Sequence, residues 1–179
     1  LFKVDAAGNV NRAMTLTAPN PNQTSAYFGY SVAISGDVLA VGEYRRNNSG
    51  ASYSGRVYLY KLNADGTAQL TATINSPTPT YNGYFGYSVA LDGDRLAVGA
   101  YQENSEAATT AGVAYVYKVK ADGSATLLEV LTHPNGKQND RLGMSVGVSG
   151  RNVVAGAHYF DPPPDKWNAG GAVLFHSNF

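Results

Sequence analysis

Tyr27 to Tyr44 reads YFGYSVAISGDVLAVGEY, and Tyr84 to Tyr101 reads YFGYSVALDGDRLAVGAY. A third, more divergent copy, RLGMSVGVSGRNVVAGAHY, runs from Arg141 to Tyr159. Gly29, Gly86 and Gly143 stand 57 residues apart, and Gly42, Gly99 and Gly156 keep the same interval. A period of this length constrains the fold more than any other feature of the chain. It marks one supersecondary unit, repeated, whose faces are buried by neighbouring copies of itself.

Four short strands fit within each period. The first is expected at Phe28 to Ile34, Phe85 to Leu91 and Leu142 to Val148, and the second at Val38 to Val41, Arg95 to Val98 and Asn152 to Ala155. The third is expected at Arg56 to Leu62, Val113 to Val119 and Ala172 to His176. The fourth falls at Gln69 to Asn75 and Thr126 to Thr132, with an early copy at Arg12 to Thr17. No segment sustains a 3.6-residue apolar period, so helices should be nearly absent. Thirteen tyrosines and 20 glycines shift the composition the same way, toward strands and turns.

The first strand alternates in size as well as polarity. Phe28, Tyr30, Val32 and Ile34 point one way, and Gly29, Ser31 and Ala33 the other; the later copies do the same. One bulky face and one small face, both nearly uncharged, suit a strand buried on both sides between stacked sheets. Four-stranded sheets stacked around an axis form a β-propeller, so the chain is expected to be all-β, with about three blade-equivalents. Residues 1–26 are then the end of a third strand and a fourth strand of a preceding blade. Residues 27–83 and 84–140 are full blade repeats, and 141–179 a repeat lacking its fourth strand.

The segments FGYSVAISGDVLAVGE with GRVYLY, and FGYSVALDGDRLAVGA with GVAYVY, resemble the FG-GAP repeat. That repeat is the blade unit of integrin α-subunit propellers and of many secreted bacterial and some fungal proteins. The resemblance runs through Phe28-Gly29, Val41-Gly42, Phe85-Gly86 and Val98-Gly99-Ala100, and more weakly through Leu142-Gly143 and Ala155-Gly156-Ala157. It implies an extracellular or cell-surface module for adhesion, ligand recognition or assembly. Integrin-type blades often hold calcium in a D-x-D-x-D-G loop between their first two strands. Here that connection is a short turn carrying Ser35 and Asp37, Asp92 and Asp94, or Ser149 alone. Calcium needs six to eight oxygens, so no metal is expected there, and no other cofactor.

Net charge is zero with 15% charged residues, and no run of like charges provides the footprint of a nucleic-acid binder. No apolar stretch reaches the length of a membrane span. The absence of cysteine excludes disulfides, thiolate metal sites and a cysteine nucleophile. His133, His158 and His176 fall at unrelated blade positions, and no Ser-His-Asp grouping or carboxylate pair recurs. The expectation is therefore that the chain is not an enzyme. Asn22-Gln23-Thr24 and Asn47-Asn48-Ser49 match the glycosylation sequon, a short pattern of low specificity.

Tight-turn signals join strands one to two and three to four: Ser35-Gly36, Asp92-Gly93, Ser149-Gly150, and Asp65-Gly66, Asp122-Gly123, Ala7-Gly8. The other connections are long and must emerge on the opposite side, where binding residues concentrate. The candidates on that long-loop face are Tyr44, Asn47, Tyr53, Tyr101, Asn104, Tyr159, Asp161 and Trp167. Aromatic rings with nearby amides suit a protein ligand or a glycan, the second making the chain a carbohydrate-binding lectin. Tyr44, Tyr101 and Tyr159 also fit a packing role at the blade edge. Trp167 is expected to be exposed, on a loop stiffened by Pro162, Pro163 and Pro164.

Leu1 to Asp5 align with Leu59 to Asn63, so the chain opens near the end of a third strand and finishes at Phe179, just after another. Met14 and Leu16 match Ala72 and Ile74. They are therefore expected to complete a blade in a neighbouring copy or in the remainder of a longer propeller chain, and strand exchange of this kind would build a ring or a filament.

Overall fold

The computed structural model describes residues 1–4, 6–12, 14–48, 50–106, 108–162 and 167–176, without the side chain of Arg12. Expectations resting on Ser49, Pro163, Pro164 and Phe179 lie outside them. Thirteen strands form four antiparallel sheets, and no helix occurs among the described residues. The hairpin β1 (Phe2–Val4) and β2 (Val10–Arg12) stands first. Blade 1 follows as β3 (Phe28–Ser35), β4 (Val38–Glu43), β5 (Arg56–Leu62) and β6 (Ala68–Asn75). Blade 2 is β7 (Ser88–Asp92), β8 (Arg95–Ala100), β9 (Val113–Val119) and β10 (Ala125–Leu131). Blade 3 has β11 (Leu142–Ser149), β12 (Asn152–Ala157) and β13 (Gly171–His176). Within each sheet the strands lie side by side in chain order, the meander of a propeller blade.

The differences from the expected strands have local causes. Phe85 is not in β7; it sits in a parallel bridge to Gly55 of the preceding blade, and its N–H donates to the Ser54 carbonyl at 2.8 Å. The expected fourth strand at Arg12 to Thr17 is instead β2 at Val10–Arg12, in register Phe2 to Arg12 and Val4 to Val10. Blade 1 pairs Tyr60 with Leu70 and Leu62 with Ala68, so the hairpin keeps the blade's own register. Beyond it, Met14 exchanges two backbone bonds with Leu1, at 3.0 and 3.5 Å.

Each junction between blades presses a small face against a bulky one. The core between blades 1 and 2 joins Ala40, Val57, Leu59 and Ile74 to Phe85, Leu96, Val98 and Tyr115. The next core joins Ala97, Ala114 and Val116 to Leu142, Val153 and Ala155. Gly42 is what permits this approach: a methyl built on it would overlap the Gly86 carbonyl oxygen, and one on Gly99 would overlap that of Gly143. Two further bonds stitch each junction. Ser31 Oγ donates to Gly86 O at 2.7 Å and Ser88 Oγ to Gly143 O at 2.8 Å. Gly93 N–H donates to Ser35 Oγ at 3.0 Å and Gly150 N–H to Asp92 Oδ2 at 2.7 Å.

The first strand is not buried on both faces in every copy, which corrects the sequence reading. Val32 is 62% and Ile34 55% exposed. Their counterparts Val89 and Leu91, and Val146 and Val148, pack against a preceding blade, whereas among the described residues no blade stands before β3.

Candidate functional site on the long-loop face

The repeat builds its long loops with one recurring device. Asn47, Asn104 and Asp161 stand at the same place in successive loops, and each side-chain oxygen accepts a backbone N–H further along: Tyr53 at 2.9 Å, Thr110 at 3.0 Å and Asn168 at 2.5 Å. Tyr53, Thr110 and Asn168 adopt φ of 54°, 51° and 50°, a left-handed conformation that the Asx acceptor helps to hold. Asn47, Asn104 and Asp161, expected as ligand contacts, thus shape the loops through these oxygens. Beneath them Glu43 and Glu103 are buried, accepting from Tyr58 Oη at 2.7 Å and from Tyr115 Oη. Burial pushes the Glu103 carboxyl up to about 7, against the opposing pull of its Ser76 and Tyr115 hydrogen bonds. Sequence reasoning passed over both glutamates. Glu43 closes the second strand of blade 1 and Glu103 stands three residues past that of blade 2, so no shared repeat position marked them.

Tyrosines form a continuous stack across the blade tops. Ring centroids lie 5.5 Å apart for Tyr27 and Tyr44, 5.4 Å for Tyr44 and Tyr84, and 5.4 Å for Tyr84 and Tyr101. Tyr30 and Tyr87 form a second row, 4.8 Å apart, with Tyr30 Oη donating to Tyr87 Oη at 2.8 Å. Tyr44 is 8% and Tyr101 9% exposed, so their assignment as ligand platforms is corrected: their ring faces are spent on other rings. Burial, reinforced by the surrounding tyrosines, pushes Tyr101 up to about 12. Arg45 caps the first stack, its guanidinium 5.2 Å from the Tyr27 centroid and 5.5 Å from Tyr44. Tyr53 lies at the rim of the same cluster, 5.9 Å from the Arg45 guanidinium and partly exposed.

The third repeat breaks the stack. Where the first two place Tyr27 and Tyr84 it places Arg141, with the same left-handed backbone (φ 60°, 57° and 59°). The Arg141 guanidinium lies 5.8 Å from the Tyr101 ring and 4.6 Å from that of Tyr159, a double cation–π contact. His158, not Tyr159, stands 57 residues after Tyr101, and its ring sits 4.0 Å from Tyr159. Burial and the Arg141 charge hold the His158 pKa below its usual value. The result is a cleft of about 350 Å³ lined by Gln138, Asn139, Arg141, Tyr159, Asp161 and Trp167, with Asn168 at its edge. Trp167 is 85% exposed, and Arg141 Nε has no hydrogen-bond partner among the described residues. The structure therefore brings Tyr159, Asp161 and Trp167 together, leaves Asn104 and Tyr53 on their own loops, and adds Arg141 and Asn139.

Among the described residues no three His, Asp or Glu side chains gather to hold a metal. The carboxylates of the first turns have other partners: Asp92 the Gly150 amide, and Asp94 the Arg95 guanidinium at 2.6 Å. Among these residues no helix is long and apolar enough to cross a membrane.

No curated protein matches the chain. Solved structures with a similar fold include the periplasmic gluconolactonase of Pseudomonas aeruginosa (20% identity, TM-score 0.49, 89% of this chain and 43% of that one). Others are a protein from Lactobacillus plantarum (17%, 0.48, 97% and 46%) and a luciferin-regenerating enzyme (15%, 0.44, 97% and 49%). The chain spans less than half the length of each of these. Two of the three are enzymes by name, which overturns the expectation that the chain is not an enzyme: propeller-like structures of this kind include enzymes. At these identities and TM-scores the likeness carries no argument about the reaction or substrate of this chain. The family comparison is more specific, because a model of the FG-GAP repeat matches residues 11–60 and 79–117. Those two regions match the FG-GAP repeat, the family whose pattern the sequence resembles.

Proposed function

We propose that the chain is a recognition module acting at the cell exterior, in adhesion or ligand capture, and that its ligand is a saccharide bound in the Arg141–Trp167 cleft. The observation that supports this most is the exposure of Trp167 beside a half-open polar cleft. An indole left in water presents an apolar platform to the C–H face of a sugar ring, while its N–H remains available as a donor. Around it the Asn139 and Gln138 amides and the Arg141 guanidinium offer donors, and the Asp161 carboxylate offers an acceptor. The cleft lining is pre-set: Asn168 is tied to Asp161, and Arg141 is clamped between two tyrosine rings, so little ordering remains to oppose binding.

A glycan array probed with the chain tests the reading. Binding to one saccharide class is expected, weakened about tenfold or more by Trp167→Ala, a loss of about 1.4 kcal/mol, while Tyr81→Ala, at an exposed tyrosine outside the cleft, leaves it unchanged. No binder on the array, or a binder indifferent to Trp167, would overturn it.

A further inference from the structure

Tyr30 and Tyr87 hold the same repeat position in consecutive blades, 57 residues apart, and meet across the junction between blades 1 and 2. Tyr30 lies in β3 and Tyr87 immediately precedes β7. Their hydroxyls share a hydrogen bond of 2.8 Å, their ring centroids lie 4.8 Å apart, and their planes are inclined by 43°. That arrangement resembles an ortho,ortho′-linked biphenol, in which two twisted rings are joined beside hydroxyls that bond to each other. In a tyrosyl radical the unpaired electron resides on the oxygen and on the ring carbons ortho and para to it. The para carbon carries the side chain, which leaves the ortho carbons free to couple. With both the hydroxyls and the ring centres this close, ortho carbons of Tyr30 and Tyr87 are neighbours.

The other tyrosine contacts differ. Tyr27 and Tyr44, and Tyr84 and Tyr101, stack face to face at 5.5 and 5.4 Å. Among the described residues no other two tyrosine hydroxyls are hydrogen-bonded to each other. In blade 3 the position of Tyr30 and Tyr87 is taken by Met144, so the second junction has no such pair. The stack nevertheless serves the pair. Tyr44 lies 4.5 Å from Tyr30 and 5.2 Å from Tyr87, and Tyr101 lies 4.5 Å from Tyr87. Aromatic rings in contact exchange an electron readily, so an electron lost from any ring of the stack can be replaced from Tyr30 or Tyr87. Tyr84 and Tyr87 are only half-buried, which gives an oxidant its point of entry.

We infer that Tyr30 and Tyr87 form a site of oxidative cross-linking, at which a peroxidase-type one-electron oxidant working with hydrogen peroxide joins blades 1 and 2 through a dityrosine bond. Each tyrosine gives up one electron and its phenolic proton. The two radicals form a carbon–carbon bond between ortho carbons; the hydrogen on each of those carbons leaves as a proton, and each oxygen regains one, restoring both phenols. In sum two electrons and two protons pass to one hydrogen peroxide, which becomes two waters. The chain has no cysteine and therefore no disulfide. This bond takes that role, linking residues 57 apart and so restricting the unfolded chain.

Treating the dilute full chain with a haem peroxidase and a limiting amount of hydrogen peroxide tests this. The expected product is a single chain lighter by two hydrogen atoms and carrying the blue fluorescence of dityrosine. Its digest should contain one linked peptide pair, with the bond placed by fragmentation at Tyr30 and Tyr87, and its urea midpoint should lie above that of the untreated chain. Tyr30→Phe and Tyr87→Phe keep the rings but lack the phenol; each is expected to lose the linked pair with circular dichroism unchanged. Tyr81→Phe, at an exposed tyrosine, should leave the yield as it was. An oxidised chain with no bond between Tyr30 and Tyr87 overturns the inference. So does a yield that survives Tyr30→Phe or Tyr87→Phe, a yield that falls with Tyr81→Phe, or a linked chain whose urea midpoint has not risen.

Discussion

Gly99 and Gly156 occupy the same place in consecutive blades, and their surroundings differ completely. Gly99 lies against the Gly143 carbonyl of the next blade, so close that no side chain fits. The atoms nearest a methyl on Gly156 all belong to Ser145 of its own sheet. One residue type in one strand position therefore serves an inner junction in one blade and an open end in the other. The repeat specifies both, and only the presence of a neighbouring blade decides which role a copy plays.

The largest expected effect breaks this equivalence at its centre. Gly99→Ala should cost about 3 kcal/mol or more, since the added methyl meets backbone that cannot move without separating blades 2 and 3. Gly156→Ala, measured by urea denaturation of dilute protein, should change stability by less than about 1 kcal/mol, because Ser145 Oγ can rotate away. Equal losses at the two sites would show that the close approach of strands across the junction is not what the glycine serves.

The bulky faces offer the next contrast. Phe85 is fully buried between blades, with its ring 5.5 Å from Tyr115, and Phe85→Ala is expected to cost about 3–5 kcal/mol. Phe28 holds the same repeat position but is only half-buried beside Tyr58, and Phe28→Ala should cost less than about 2 kcal/mol in the single chain.

A smaller effect separates the two sides of a blade by pH. The Glu103 carboxyl is raised to about 7 in the folded chain, from 4.5. The folded state therefore binds this proton more tightly than the unfolded one. The contribution is fully present below about pH 4.5 and is lost as pH rises toward 7, at most on the order of 3 kcal/mol. Glu103→Gln should flatten that segment of the stability profile, read from urea midpoints between pH 5 and pH 8. A wild-type profile already flat over this range would mean that the carboxyl reaches water.

The blades were legible in the sequence because their alternation of large and small residues is a packing rule written three times. Phe28, Val32 and Ile34 against Gly29, Ser31 and Ala33 read as two faces before any coordinate is known. The end effects were not legible, since a local pattern carries no mark of whether the neighbour it needs is present. The site was legible in part. Trp167 stands outside the repeat and attracts notice for that reason. Tyr44 and Tyr101 repeat, and what looks like a row of binding rings is a row of rings that bind one another. Asn47, Asn104 and Asp161 were singled out as polar loop residues, but a loop's own amides compete for such acceptors, and here they win. Arg141 was missed because the 57-residue period shows it replacing a tyrosine but not that its guanidinium meets the rings of Tyr101 and Tyr159.

Amide hydrogen exchange, resolved residue by residue by NMR, tests the central claim that one junction is built twice within the chain, between blades 1 and 2 and between blades 2 and 3. Phe85 and Leu142 donate across the inner junctions, each at 2.8 Å, and their amides should exchange as slowly as the central strands at every protein concentration. Phe28 holds the same repeat position with no blade before it among the described residues, and its amide is predicted to exchange fast in dilute protein. A Phe28 amide as protected in dilution as those of Phe85 and Leu142, or inner amides as fast as that of Phe28, would contradict the account.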